Sequence, residues 1–173
     1  MAESNKKQTQ LYECFGEMDS FEEINELAEN LLNEGDNESI YKMAEENGID
    51  REYVDMYVEG ETLFLCEADM AAMGKLTVEV GQVKLSGIFE DWLEYIRTEC
   101  LESPEMAIAV RRRGKSLKGC LAKLLKWSFG HQVEVDKAIL SAAKVTASRV
   151  TLGIPNMGTA KKIIRKYYLE DKA

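Results

Sequence analysis

The side chains best suited to catalysis are few, and their spacing assembles no complete site. His131 is the sole histidine of the 173 residues, which excludes a mechanism with two imidazoles and a histidine-rich metal site. The four cysteines, Cys14, Cys66, Cys100 and Cys120, include no CxxC pair, and this spacing fits neither a compact zinc site nor a small disulfide scaffold. We therefore expect reduced, mostly packed thiols in a cytosolic protein.

Two further patterns resemble parts of catalytic sites, and each has a simpler structural interpretation. Gly114–Ser116 reads Gly-Lys-Ser, like the end of a phosphate-binding P-loop, but Ala109 stands where that motif requires glycine. A helix end followed by a helix cap explains these residues. Glu90, Asp91 and Glu94 could present two carboxylates on one helical face, as acid–base chemistry requires, but a solvated helix face explains them better. The sequence predicts no catalytic residue, no metal, no cofactor and no enzymatic activity.

Charge is distributed very unevenly along the chain. Residues 1–106 contain 7 lysines and arginines against 27 aspartates and glutamates, whereas residues 107–173 contain 15 against 4. The two parts carry formal charges of −20 and +11, which together give the overall −9. Such asymmetry indicates interaction with nucleic acid or with a charged protein, and the two halves could also pair with each other.

The elements that position these charges are predicted to be short helices. A capping box at Ser20–Glu23 begins a helix that Gly35 ends, and further helices with glycine stops follow it. In the basic half only residues 150–152 hint at a strand, so the predicted fold is all-α or nearly so, a bundle of short helices. We divide the chain into a disordered leader over 1–10, an acidic helical unit over 11–75, a linker or short hairpin over 76–87, and a basic helical domain over 88–173.

The acidic unit contains a pattern typical of a helix-turn-helix pair. Ala44, Gly48 and Val54 stand where that motif needs a small residue, a turn and a buried anchor. The second helix would present one arginine and four acids over residues 51–61, which DNA phosphates would repel. We therefore expect this unit to dock on a basic protein groove. The candidate partner-binding acids are Glu22, Glu23, Glu26, Glu45, Glu46, Glu52, Asp55 and Glu59.

The basic half has side chains suited to a phosphate backbone or to an acidic protein. They lie in two groups, one around a triple arginine and one in the last helix. The candidates are Arg111, Arg112, Arg113, Lys115, Lys118, Lys123 and Lys126, followed by Lys161, Lys162, Arg165 and Lys166. A solubilising surface is the alternative interpretation.

Two short motifs in the basic half carry a resemblance. Residues 115–120 read Lys-Ser-Leu-Lys-Gly-Cys and residues 167–171 read Tyr-Tyr-Leu-Glu-Asp. They resemble the Lys-Ser-x-x-Gly-Cys and Tyr-Tyr-x-Glu-Asp signatures of the PcfK-like family of mobile elements. That family is named for a conjugative-plasmid accessory protein and is similar to some phage-encoded inhibitors of the type II CRISPR nuclease, the type II anti-CRISPR proteins.

The resemblance implies a non-enzymatic interaction protein in the cytoplasm of a bacterial host cell. Its partner would be a type II CRISPR effector nuclease, alone or with guide RNA, whose nucleic-acid channels are strongly basic. The acidic helices would occupy such a channel while the basic half contacts RNA or DNA. The alternative is a DNA-binding accessory protein of a phage or conjugative element. No membrane partner is expected, and a homodimer through exposed apolar helix faces stays open.

Overall fold

The computed structural model of the protein describes residues 12–170, so the predicted leader over 1–10 lies outside the described residues. The predicted all-α fold is confirmed. The described part of the chain forms nine α-helices, one π-helical segment and two strands of two residues each. They are α1 Phe21–Glu34, α2 Asn37–Glu46, α3 Arg51–Val58, α4 Ala68–Val80, α5 Ile88–Glu102, α6 Pro104–Arg111, α7 Leu117–Gly130, β1 Val133–Glu134, α8 Lys137–Ala142, β2 Thr151–Leu152, α9 Met157–Arg165 and the π segment Lys166–Glu170.

Side-chain caps fix where several of these helices begin. The Ser20 hydroxyl accepts a hydrogen bond from the Glu23 amide at 3.1 Å, as the capping box predicts, and Ser116 accepts from the Gly119 amide at 3.0 Å. Gly35 ends α1 in the left-handed region at φ 75°, a conformation that glycine adopts without a Cβ penalty. The local sequence thus dictates the boundaries of α1 and the start of α7.

The helices enclose two adjoining cores. The N-terminal core contains Ile24, Ile40 and Met43 among its fully buried side chains, and the C-terminal core contains Ile96 and Leu124. α4 supplies both, because Ala71 belongs to the first core while Ala72 and Leu76 belong to the second.

The C-terminal end of α4 lies where the sequence predicted a linker. Residues 76–80 continue α4, so the linker or hairpin predicted over 76–87 is wrong for its first part, and residues 81–87 form the connection to α5. The apolar alternation over 76–85 suggested extended chain, but Leu76 and Val80 are also four residues apart. They pack with Ala72 on the C-terminal core, as a helical period requires.

The C-terminal part contains a short excursion between α7 and α9. β1 and β2 pair antiparallel, with Val133 opposite Leu152 and Glu134 opposite Thr151, so the predicted hint of a strand near residue 150 is confirmed. We call residues 131–156 the arm. No residue of α8, the helix within it, is buried.

A candidate protein-binding groove

A groove runs beside α1, and a face of that helix forms one of its walls. Glu22, Glu26 and Glu29 follow one another at helical spacings of four and three, so they lie along one side of the helix, with Asn25 and Leu32 beside them. Burial of Ile24 and Ala28 in the N-terminal core turns this acidic side outward. The amphipathic pattern of α1 therefore presents the carboxylates.

The second wall is the connection between α3 and α4, and Asn25 fastens it to α1. The Asn25 Oδ1 accepts hydrogen bonds from the amides of Leu65 at 3.0 Å and Cys66 at 3.1 Å, and its Nδ2 donates to the Cys66 carbonyl at 2.9 Å. Leu65 and Cys66 are consequently buried, whereas the neighbouring Leu63 and Phe64 are 88% and 66% exposed. One amide side chain thus holds two apolar residues at the rim of the groove.

The far side of the groove comes from the end of α5 and the start of α6. Cys100, Leu101 and Pro104 line it, and Leu101 is also exposed. The groove has a volume of about 1280 Å³, which is larger than the roughly 300–1,000 Å³ of small-molecule sites. Its size and its apolar rim suit a segment of protein.

The electrostatics of the groove have a single sign. Five carboxylates line it, and no lysine, arginine or histidine among residues 12–170 does so. A groove that combines this apolar rim with acidic side chains complements an amphipathic segment that carries cations. The lining acids are Glu22, Glu26, Glu29, Glu67 and Asp69.

Two of the cysteines line the groove, and the histidine lies at the end of α7. Burial raises the pKa values of the Cys66 and Cys100 thiols to about 12, so both groove-lining sulfurs stay protonated and unreactive. The His131 ring stacks on Trp127 at 4.1 Å between ring centroids, and its Nδ1 lies 2.8 Å from the Trp127 carbonyl oxygen. Within residues 12–170, no group of three histidine, cysteine or acidic side chains could hold a metal ion.

The predicted partner-binding acids fall into two sets, of which only the smaller reaches the groove. Glu22 and Glu26 line it, whereas the remaining six lie elsewhere. Glu45, Glu52 and Glu59 are exposed on α2, on α3 and just after α3.

The other three predicted acids have partners within the chain. Glu23 accepts from the Asp19 amide, Glu46 accepts from the amides of Cys14 and Phe15, and Asp55 accepts from the Tyr41 hydroxyl at 2.6 Å. The groove residues that the sequence analysis missed are Glu29, Glu67, Asp69, Leu63, Phe64 and Leu101. The spacing of Glu22, Glu26 and Glu29 was a signal available in the sequence.

Arg111 and Lys115 require a correction, because both are buried. Arg111 donates from Nε to the Met18 carbonyl at 3.1 Å, from Nη1 to the Ala71 carbonyl at 3.4 Å and from Nη2 to the side chain of Asn47. Lys115 donates to the Tyr167 carbonyl at 2.6 Å. These two cations bind the fold together and are not on a surface that nucleic acid could reach.

Other predicted basic residues pair with the acidic half. Arg113 lies 3.4 Å from Glu23, and Arg165 forms an ion pair with Glu99. Some cations of the basic half therefore pair with acids of the acidic half, as the uneven charge distribution allowed. The predicted basic residues that remain exposed are Arg112, Arg113, Lys118, Lys123, Lys126, Lys161, Lys162, Arg165 and Lys166.

The two family-like motifs contact each other. The Ser116 amide donates to the Tyr167 hydroxyl at 3.0 Å, and a Cβ on Gly119 would lie 2.3 Å from that hydroxyl. Cys120 and Tyr168 are both buried in the C-terminal core. The spacing of the motifs thus serves the docking of α7 against the π segment, while Asp171 lies outside the described residues.

The sequence matches no protein-family model, and no curated protein or solved structure matches it either. Among the described helices, none is long and apolar enough to cross a membrane.

Proposed function

We propose that this chain is a non-enzymatic interaction protein that binds a basic, partly apolar segment of another macromolecule in the groove beside α1. The observation that carries the proposal is a groove with five carboxylates and with exposed Leu63, Phe64 and Leu101, to whose lining the described part of the chain contributes no cation. The opposite charge guides encounter and register, and burial of the apolar rim adds affinity.

The proposed partner is a type II CRISPR RNA-guided nuclease, which the chain inhibits. The motif resemblance at residues 115–120 and 167–171 supports this choice, as does the chemistry of the target, because such nucleases hold nucleic acid in positively charged channels. A row of carboxylates at Glu22, Glu26 and Glu29 would compete with phosphates for those cations. Inhibition would then follow from occupation of a nucleic-acid surface.

The test compares reversals of charge at three places on the acidic unit. E26K/E29K alters the groove, E45K/E52K alters the α2–α3 surface, and E34K/E38K is the matched control, since Glu34 and Glu38 are exposed and outside the groove lining. Each variant is used in pull-down and DNA-cleavage assays with the nuclease, with and without guide RNA.

We expect E26K/E29K to weaken binding and inhibition by about tenfold or more, the control to match the wild type, and added salt to weaken the wild-type complex. Failure of the wild type to bind the nuclease in either state would refute the named partner. Equal effects of E26K/E29K and E34K/E38K would refute the groove as the contact.

A second candidate function is DNA binding by an accessory protein of a mobile element. The observation that favours it is the set of exposed lysines on α7 and α9, Lys118, Lys123, Lys126, Lys161 and Lys162. Full-length protein that retards duplex DNA near physiological salt, and loses this with K123E/K126E but not with E26K/E29K, would establish it.

A further inference from the structure

The arm exposes apolar side chains on a structure too small to bury them. Val133 and Leu152 are cross-strand partners on one face of the hairpin and are 69% and 61% exposed, and Ile154 follows two residues later at 63%. Ile139 on α8 is exposed to a similar extent. The Val133–Leu152 pair forms an exposed apolar patch, and such patches mark interaction sites.

The charge of the arm indicates what covers it. Its two acids are used locally, since Glu134 lies 3.4 Å from Arg149 and Asp136 accepts from the Ala138 amide at the start of α8. Lys137 and Lys144 are exposed. With three cations and two acids the arm has a net charge of +1, so an acidic apolar surface would attract it.

The groove beside α1 has the complementary properties and the right size. A helix of six residues such as α8 is about 9 Å long and about 10 Å wide, a cylinder of about 700 Å³, and the groove volume of about 1280 Å³ leaves room for flanking strand residues. No arm residue lines the groove of its own chain.

We propose that the groove of one chain binds the arm of a second copy of this chain. The arm contributes Ile139 with Lys137 and Lys144, and the groove contributes its apolar rim with Glu26 and Glu29. Reciprocal exchange between two copies closes a dimer, whereas one-way exchange continues into longer assemblies. The inference shares its groove with the proposed function, so the arm and a basic partner segment compete for one site.

The experiment measures self-association of the full chain without any nuclease, by sedimentation velocity over micromolar to millimolar concentrations. The variants are E26K/E29K, which reverses the groove, K137E/K144E, which reverses the arm, and the combination of all four substitutions, which keeps the wild-type net charge. All four positions are exposed, so the folds should be retained, and circular dichroism checks this.

We expect concentration-dependent association of the wild type and about tenfold weaker association of each pair variant. An equimolar mixture of the two pair variants should associate again, and so should the fourfold variant, because each reversed groove then meets a reversed arm. A wild type that stays monomeric over the whole concentration range overturns the proposal. Failure of the mixture of the two pair variants to associate overturns it as well. Association of E26K/E29K like the wild type, with loss only in K137E/K144E, would also overturn the proposal, because the arm would then have another contact surface.

The result is independent of the nuclease assays. Self-association without nuclease inhibition would refute only the proposed function, and inhibition by a chain that never self-associates would refute only the present inference. The K137E/K144E variant keeps an intact groove, so it should inhibit the nuclease at least as well as the wild type.

Discussion

Replacing Arg111 with alanine tests whether this residue serves the fold or a ligand. Its position in a triple arginine predicted a contact with nucleic acid, but only 1% of its surface is exposed. R112A is a matched control one residue away, because the Arg112 side chain is exposed. The two substitutions remove the same charge, and only one removes buried contacts.

The expected destabilisation follows from the partners of the guanidinium. R111A leaves the Met18 carbonyl, the Ala71 carbonyl and the Asn47 side-chain oxygen without their donor, at about 1 kcal/mol each. Loss of packing around the aliphatic stem adds about 1 kcal/mol. Burial lowers the pKa of Arg111, so release from desolvation offsets part of this sum. We expect a net loss of about 3 kcal/mol in the free energy of unfolding.

Urea denaturation followed by circular dichroism measures this loss. With a slope of about 2 kcal/mol per molar urea, R111A should unfold at about 1.5 M less urea than the wild type, whereas R112A should differ by less than about 0.5 kcal/mol. Equal midpoints for R111A and R112A would refute the assignment of Arg111 to the fold.

Three further outcomes are expected. G119A should destabilise the chain by about 1–3 kcal/mol, because its Cβ would lie 2.3 Å from the Tyr167 hydroxyl, and a double-mutant cycle with Y167F should show coupling between the two sites. A thiol reagent should modify exposed Cys14 rapidly in the native protein and the three buried cysteines only after unfolding. Burial raises the pKa of Glu79 above 4.5, so the folded chain holds this proton to higher pH than the unfolded chain. The stabilisation that this proton gives is present at low pH and is lost as pH rises through the raised pKa of Glu79. In urea titrations, the free energy of unfolding of E79Q should therefore increase relative to that of the wild type over this pH range.

Local features of the fold could be predicted from the sequence because neighbouring residues determine them. Ala44 and Val54, assigned to the contact between two helices, are buried, and Gly48, assigned to the turn, has φ 70°. The caps at Ser20 and Ser116 were also identified correctly. The caps and the turn each depend on residues within about one helical turn, and the two buried positions follow from the spacing of the helix-turn-helix pattern.

The groove could not be predicted in this way because distant segments build it. Asn25 gives no sign in the sequence that it holds a loop 40 residues away, and Gly74 gives none that its backbone meets the turn at Gly48. Arg111 belongs to a run of three arginines that nothing in the sequence distinguishes. In the fold Arg111 is buried, whereas Arg112 and Arg113 are exposed. Charge counts identify how many ions a segment has, but packing decides which of them reach solvent.

The distribution of cations over the folded chain explains why the groove stays acidic. Arg113 reaches Glu23 on one side of α1, but on the side that bears Glu22, Glu26 and Glu29 no cation of residues 12–170 lines the groove. Like charges at these helical spacings destabilise a helix by about 0.2–0.5 kcal/mol per pair, and a single lysine among them would remove the cost. An unfavourable local interaction that no contact inside the fold compensates, here the repulsion between neighbouring carboxylates, is typical of a binding site. The cations of a bound segment would supply the compensating charge.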